Sequence, residues 1–279
     1  MDGILLVNKP MEMTSHDVVA FLRRTLKTKK IGHTGTLDPN ATGLLVCTIG
    51  RATKILPYLE KQEKAYEATM KLGTKTDTGD IWGNTIEENE VPEIKKEKII
   101  SVLSSFFGKQ LQLPPMVSAI KYQGKPLYEY AREGKEIQRK EREIEITELQ
   151  LLAYDETSIS FIVSCSAGTY IRTLCEDIGL ALRTVATMSA LKRNRCGNFL
   201  LEQASDLEEI TAGTYTVLSI EEALSHMKIV EYSDLSALQN GKAVAIEKTE
   251  DTILMMYEGK AIAVYEWKED RYYCKRGLW

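Results

Sequence analysis

The sequence predicts a chain of mixed class, α/β or α+β, that ends in a small β-barrel. Three observations predict it. Several short runs alternate apolar and polar residues, the period of a half-buried strand. Between them lie segments whose apolar residues recur three and four apart, the period of a helix face. After about residue 228 short strand-like runs follow one another closely, separated only by turn residues.

The elements follow in chain order. "GILLV" (3–7) is a buried strand ending at "NKP". "TSHDVVAFLRRTLKTKK" begins a helix at an N-cap, Thr14 or Ser15, with Asp17 in its first turn. Val18, Phe21, Leu22 and Leu26 share one face of it, and Lys27, Lys29 and Lys30 suit the negative end of its dipole. "GLLVCTIG" (43–50) is a further apolar run. "KAYEATMKLG" (64–73) alternates as a strand with Tyr66, Ala68, Met70 and Leu72 on its apolar side, and "KTDTGDIWG" is a turn-rich loop. "EKIISVLSSFFG" (97–108) predicts a helix with Ile100, Leu103 and Phe107 inward and Gly108 as terminator. The proline-bearing segment 112–134 leads into a short helix stopped by Gly134. Residues 142–155 and 158–166 alternate as paired strands, and "GTYIRTLCEDIGLAL" (168–182) is a helix entered through Gly168 and Thr169. The tail holds three strand runs divided by "EGK" and "KED" turns.

Composition narrows the function classes. A 43% hydrophobic and 27% charged chain of 279 residues is that of a soluble globular protein of one large domain or a large and a small one. No apolar run approaches a membrane span, and "MDGILLVNKP" has no basic n-region, so the cytoplasm is expected and no membrane contact. The five scattered cysteines suit neither a disulfide framework nor zinc, and the three histidines form no metal pair, so no metal is expected. The net charge of −4 is unevenly spread: residues 1–80 carry 12 basic and 9 acidic side chains, residues 201–279 carry 8 and 15. The N-terminal part can therefore present a basic face to nucleic acid despite the acidic total.

The loop "GHTGTLDPNATG" (32–43) places one carboxylate, Asp38, among glycines and threonines. Asp before Pro is by itself a turn signal. Here the longer stretch "GHTGTLDPNATGLL" resembles the signature loop of the bacterial TruB-type tRNA pseudouridine synthases. The resemblance continues in order along the chain. "VNKPMEMTSHDVV" is similar to the family's KPxGxTS stretch, "KAYEATMKLGTKTDTGD" to its second motif and "GTYIRTLCEDIG" to its arginine motif. "PPMVSAIKYQGKPLYEYAREG" resembles its RNA-clasping insertion, "LKRNRCGNF" the closing strand of the site, and the tail a PUA domain. Two positions depart: Glu12 stands where the family usually has Gly, and Val117 where an aromatic is common.

The resemblance implies an α+β catalytic domain over 1–228, with a mixed, mainly antiparallel sheet, flanking helices and an insertion at about 112–140. A PUA-like β-barrel over 229–279 follows. It implies isomerisation of the uridine at position 55 in the T-loop of tRNA, by a monomer whose partner is the tRNA T-arm. That reaction breaks the glycosidic C–N bond, rotates the uracil and rejoins it through carbon. Nothing leaves the substrate, so no cofactor is needed and one carboxylate suffices.

Asp38 matches the family's catalytic aspartate, as nucleophile or as base. Arg172 matches the arginine that pairs with it, since a carboxylate in a dry pocket needs a counter-charge to stay ionised. Tyr66 matches the tyrosine that stacks on the target base. The uridine must be flipped out of its stack, and His33 matches the histidine that fills the vacated space. Asp80 matches an aspartate that positions RNA or base, Tyr170 is a pocket candidate, and Leu191 would pack beside the uracil. Lys9, Lys121, Lys125 and Arg132 are the expected phosphate or nucleotide contacts. A non-catalytic RNA-binding module would not need Asp38 with Arg172, and a glycoside hydrolase would want a second carboxylate.

Overall fold

The computed structural model describes all 279 residues. The chain forms two compact units, one of Met1–Pro39, Gly43–Lys61 and Phe199–Trp279, the other of Asn40–Thr42 and Gln62–Asn198. Both mix helices with largely antiparallel sheet, an α+β arrangement.

In the first unit the strand Gly3–Lys9 runs antiparallel to Thr42–Ile49 from Gly3 opposite Ile49 to Lys9 opposite Gly43, and antiparallel to the short strand Val217–Leu218. Ile31–His33 also pairs with Thr42–Ile49. The helix Ser15–Thr25 covers these strands because Val18, Val19 and Leu22 fall on one face, joining Leu5, Val7, Leu45, Cys47 and Ile210 in one core. Its N-cap is Thr14, closed by a reciprocal pair of bonds with Asp17: the Asp17 amide donates to Thr14 Oγ1 at 3.0 Å and the Thr14 amide to Asp17 Oδ2 at 2.8 Å. Ahead of it Glu12 takes φ 64°, a left-handed conformation that glycine adopts without cost.

The tail within this unit has its own core of Leu238, Val244, Ile253, Met255, Ala263, Tyr265 and Tyr272. The three expected strands are present as Thr252–Tyr257, Lys260–Lys268 and Arg271–Gly277, antiparallel in sequence. Lys228–Glu231 adds a parallel fourth strand beside Thr252–Tyr257. The pairings give an open four-stranded sheet, not the closed barrel the sequence suggested. Alternation dictates that strands form; it carries no information on whether the first and last meet.

In the second unit five antiparallel strands lie in the order Ala186–Cys196, Lys64–Leu72, Ser158–Cys165, Arg142–Tyr154 and Gly108–Gln112. The expected alternation of 64–72 holds, with Tyr66, Ala68, Met70 and Leu72 buried. Helix Ile171–Ala181 packs on Ala186–Cys196 and Lys64–Leu72. Helix Lys96–Ser105 packs on Arg142–Tyr154, but not with the expected face: Ile99, Val102 and Leu103 are buried, while Ile100 and Phe107 are 45% and 66% exposed. Positions 99, 102 and 103 satisfy helical spacing as well as 100, 103 and 107 do, and the sheet beneath decides between them. Gly108, at φ 92°, opens the next strand instead of ending the helix.

The insertion contains a hairpin, Lys121–Tyr122 with Lys125–Pro126, turned by Gln123 and Gly124, both at positive φ as a tight hairpin turn requires. It leads into the short helix Leu127–Arg132. Four of the five cysteines are buried. No helix is long and apolar enough to cross a membrane.

Candidate active site

In the first unit the loop bearing Asp38 is held on both sides by buried polar side chains. Ser15, fully buried at the helix start, accepts the Leu37 amide at 2.9 Å and donates to the Leu37 carbonyl at 3.3 Å. Lys9, also fully buried, donates its ammonium to the carbonyls of Pro10 (2.8 Å), Met13 (2.5 Å) and Pro39 (2.9 Å). The residues immediately before and after Asp38 are thereby fixed, and the half-buried carboxylate is presented from a backbone with little freedom. Upstream, the Thr34 amide bonds to Val46 O at 3.0 Å, and Gly35 turns the chain at φ 79°, where a Cβ would strain it. His33 ends the strand Ile31–His33, its ring edge-on to His16 with centroids 5.8 Å apart.

Lys9 was expected to meet RNA phosphate. Its burial among backbone carbonyls corrects that: it braces the loop. A short "NKP" stretch reveals a charge but not that the chain folds over it.

In the second unit Tyr66 and Arg193 face each other across neighbouring strands, in register and both buried. The Arg193 guanidinium donates to the Tyr66 hydroxyl, while burial pushes the phenol up to about 12, so Tyr66 is a neutral donor at physiological pH. Arg193 escaped the sequence reading. The available signal was parity: in "LKR" Leu191 points inward, Lys192 outward and Arg193 inward again, a cation on the core side of a strand. Leu191 is buried opposite Ala68.

Arg172 lies at the start of its helix, where Tyr170 is the N-cap. Its guanidinium donates to the carbonyls of Thr78 and Val117, both at 2.8 Å. The departure at Val117 therefore leaves this bond untouched, because it uses the backbone. Gln112 clamps Tyr170 by accepting its amide at 2.8 Å and donating to its carbonyl at 3.0 Å. Asp80 sits half-buried in the loop after Thr74–Thr76, where Oδ1 accepts Thr78 Oγ1 at 2.8 Å and the Trp82 amide at 3.2 Å. Gly79, at φ 76°, lets this loop approach the Arg172 helix so closely that a Cβ would meet Glu176 Oε1 at 2.9 Å.

The insertion side chains engage one another. Lys125 pairs with Glu133 and lies 4.8 Å over the Tyr130 ring, Arg132 lies 5.4 Å over Tyr128, and Lys121 is exposed. Glu133 holds Lys125 more firmly charged than a free lysine.

The fold is that of a chain in the solved Cbf5–Nop10–Gar1 complex, with a TM-score of 0.75 and 26% identity over 99% of this chain and 85% of that one. The model of the TruB family pseudouridylate synthase N-terminal domain matches residues 23–171, and that of the tRNA pseudouridylate synthase B C-terminal domain residues 172–229. A tRNA pseudouridine synthase B of Hydrogenovibrio crunogenus is 41% identical over 97% of this chain and 91% of its own. That of Bacillus subtilis is 44% identical over 95% and 89%. Fold and matches define the class of the protein, a pseudouridylate synthase. Within that class the chain belongs to the TruB family.

Proposed function

We propose that the protein isomerises uridine 55 in the T-loop of tRNA to pseudouridine, with Asp38 as the acting carboxylate. The observation that carries this reading is the loop 32–43. It holds a single carboxylate whose two neighbours are fixed by buried Ser15 and Lys9. Preorganised placement of one reacting group is what this chemistry asks of a protein, since no group enters or leaves. Arg172 is the cation we assign to keeping Asp38 ionised, and its own two carbonyl anchors support a fixed guanidinium. Tyr66 supplies a stacking ring and a neutral hydroxyl, Leu191 an apolar wall for uracil. His33 fills the space that the flipped uridine vacates, Asp80 positions RNA or base, and Tyr170 lines the pocket.

The insertion and the tail 229–279, which we read as PUA-like, extend the RNA contact. The protein acts as a cytoplasmic monomer on the T-arm. The test is an unmodified tRNA transcript incubated with the wild type and with Asp38→Asn, followed by mapping of pseudouridine. Pseudouridine forms at position 55 with the wild type, and Asp38→Asn loses at least about a thousandfold in single-turnover rate while RNA affinity stays within about threefold. Turnover by the Asn variant near the wild-type rate, or modification only at another position, overturns the assignment.

A further inference from the structure

Trp82 is 44% exposed and its neighbour Ile81 43%, on the loop between Thr74–Thr76 and Thr85–Glu88. A tryptophan left this open is uncommon, and nothing in the turn requires one. The loop itself is rigid. Asp80 Oδ1 accepts the Trp82 amide, Asp77 accepts the Asn84 amide at 2.9 Å and its side-chain amide at 3.0 Å, and Thr76 Oγ1 donates to the Asp80 carbonyl at 2.7 Å. Both carboxylates brace the turn, Asp77 through its two oxygens and Asp80 through Oδ1, and the indole stands open beside them.

The other bonds of this loop run to elements already assigned to the site. Arg172 Nη1 donates to Thr78 O. The Ile81 amide donates to Met188 O at 2.9 Å and the Met188 amide to Gly79 O at 3.0 Å, on the strand that carries Leu191 and Arg193. An indole carried on a backbone fixed in this way has only its two side-chain torsions to lose on stacking, and every nucleobase offers a face to it.

We propose that Trp82 is a stacking platform for an exposed nucleobase of the RNA substrate beside the target uridine. This rests on the tRNA-modifying reading above. The contact adds affinity and not chemistry, so its loss falls on KM.

The test uses the full chain and a T-arm RNA hairpin. Trp82→Ala raises KM and Kd by about fivefold to about a hundredfold, the range of base–aromatic stacking, with kcat within about twofold, and Trp82→Phe recovers most of the loss. In a second measurement, Trp267→Phe and Trp279→Phe in an Asp38→Asn background leave Trp82 as the sole indole. Its emission is quenched by the hairpin with the midpoint of independently measured binding. Wild-type modification with an unchanged KM for Trp82→Ala, or emission indifferent to bound RNA, overturns the stacking role and leaves the proposed function standing. Emission that changes with protein concentration alone assigns the patch to a second copy of the chain and also overturns it. A wild type that neither binds nor modifies the hairpin or tRNA overturns the functional reading itself.

Discussion

The loop around Asp38 and the insertion 112–140 are both rich in polar and charged side chains, yet they satisfy them in opposite ways. Around Asp38 the partners are backbone carbonyls and amides, reached by the fully buried Lys9 and Ser15. In the hairpin and short helix of the insertion, residues 121–133, the cations' partners are other flexible side chains, such as Lys125 with Glu133 and Arg132 over Tyr128. Buried polar groups have no water to fall back on, so their bonds must all be made and the conformation is fixed. Exposed ion pairs contribute about 0–1 kcal/mol and exchange readily for others. The first arrangement suits a reacting group, and the second a surface that trades its internal partners for phosphate and base.

Lysine truncation tests that contrast most severely. Lys9→Met removes the donor to three partly buried carbonyls, at a cost of about 1–3 kcal/mol in unfolding free energy. Lys125→Met removes one exposed pair and costs less than about 1 kcal/mol. Urea denaturation of both variants reads the difference, and equal losses would break the contrast. Activity of Lys9→Met at a temperature where it remains folded falls as well, because Pro39 is released beside Asp38.

Tyr66 extends the same logic to pH. Its phenol is pushed up to about 12 in the folded chain, against an ordinary value near 10. The folded pKa is the raised one, so the stability linked to Tyr66 is complete below pH 10 and is lost as pH rises towards 12. A shift of that size corresponds to roughly 2–3 kcal/mol. Tyr66→Phe flattens the alkaline fall in stability over that window, measured by denaturation at closely spaced pH values. It leaves the fall unchanged if some other group causes it, Tyr265 being the other tyrosine pushed up to about 12.

The contrast also explains what the sequence let one read. Asp38, Arg172 and Tyr66 lie in contiguous motifs or on clear alternation, and the helices and strands carrying them lie where the pattern put them. Ser15 looked like one of two possible N-caps; its hydroxyl is instead committed to Leu37, a residue 22 positions away. Arg193 gains its meaning from Tyr66 across a strand pair, a register no local pattern encodes. Lys9 was misassigned because charge is visible in a sequence and burial is not. The tail strands were legible one by one, whereas barrel closure depends on a pairing between ends that the fold does not make.

A smaller effect is expected where the insertion restrains its own cation. Glu133→Gln, made in a Lys135→Met background because Lys135 shares the carboxylate at 3.0 Å, frees Lys125, which then meets phosphate without first giving up its partner. RNA affinity at low salt rises about twofold to fivefold, and the dependence of log K on log salt steepens by about 0.7–0.9, one further counterion released. Binding titrations at four salt concentrations measure both. An unchanged slope would mean that Lys125 stays with Tyr130 and the aromatic partner, not the carboxylate, governs it.

The smallest effect sharpens the contrast at a point between the two extremes. Glu12 follows Lys9 by three residues, in the turn that leads to the buried helix start, yet its own side chain is exposed. Its backbone is held at φ 64°, where an L side chain costs about 1–2 kcal/mol and glycine almost nothing. Part of that gain is returned because glycine adds about 0.4–1 kcal/mol of freedom to the unfolded chain. Glu12→Gly therefore stabilises the protein by about 0.5–1 kcal/mol, seen as a small upward shift in denaturation midpoint with an unchanged slope. Glu12→Ala keeps the strained backbone and gives no such gain. Were the two substitutions equivalent, the turn would be relaxing around residue 12, and the fixed backbone argued for the neighbourhood of Lys9 would not extend this far.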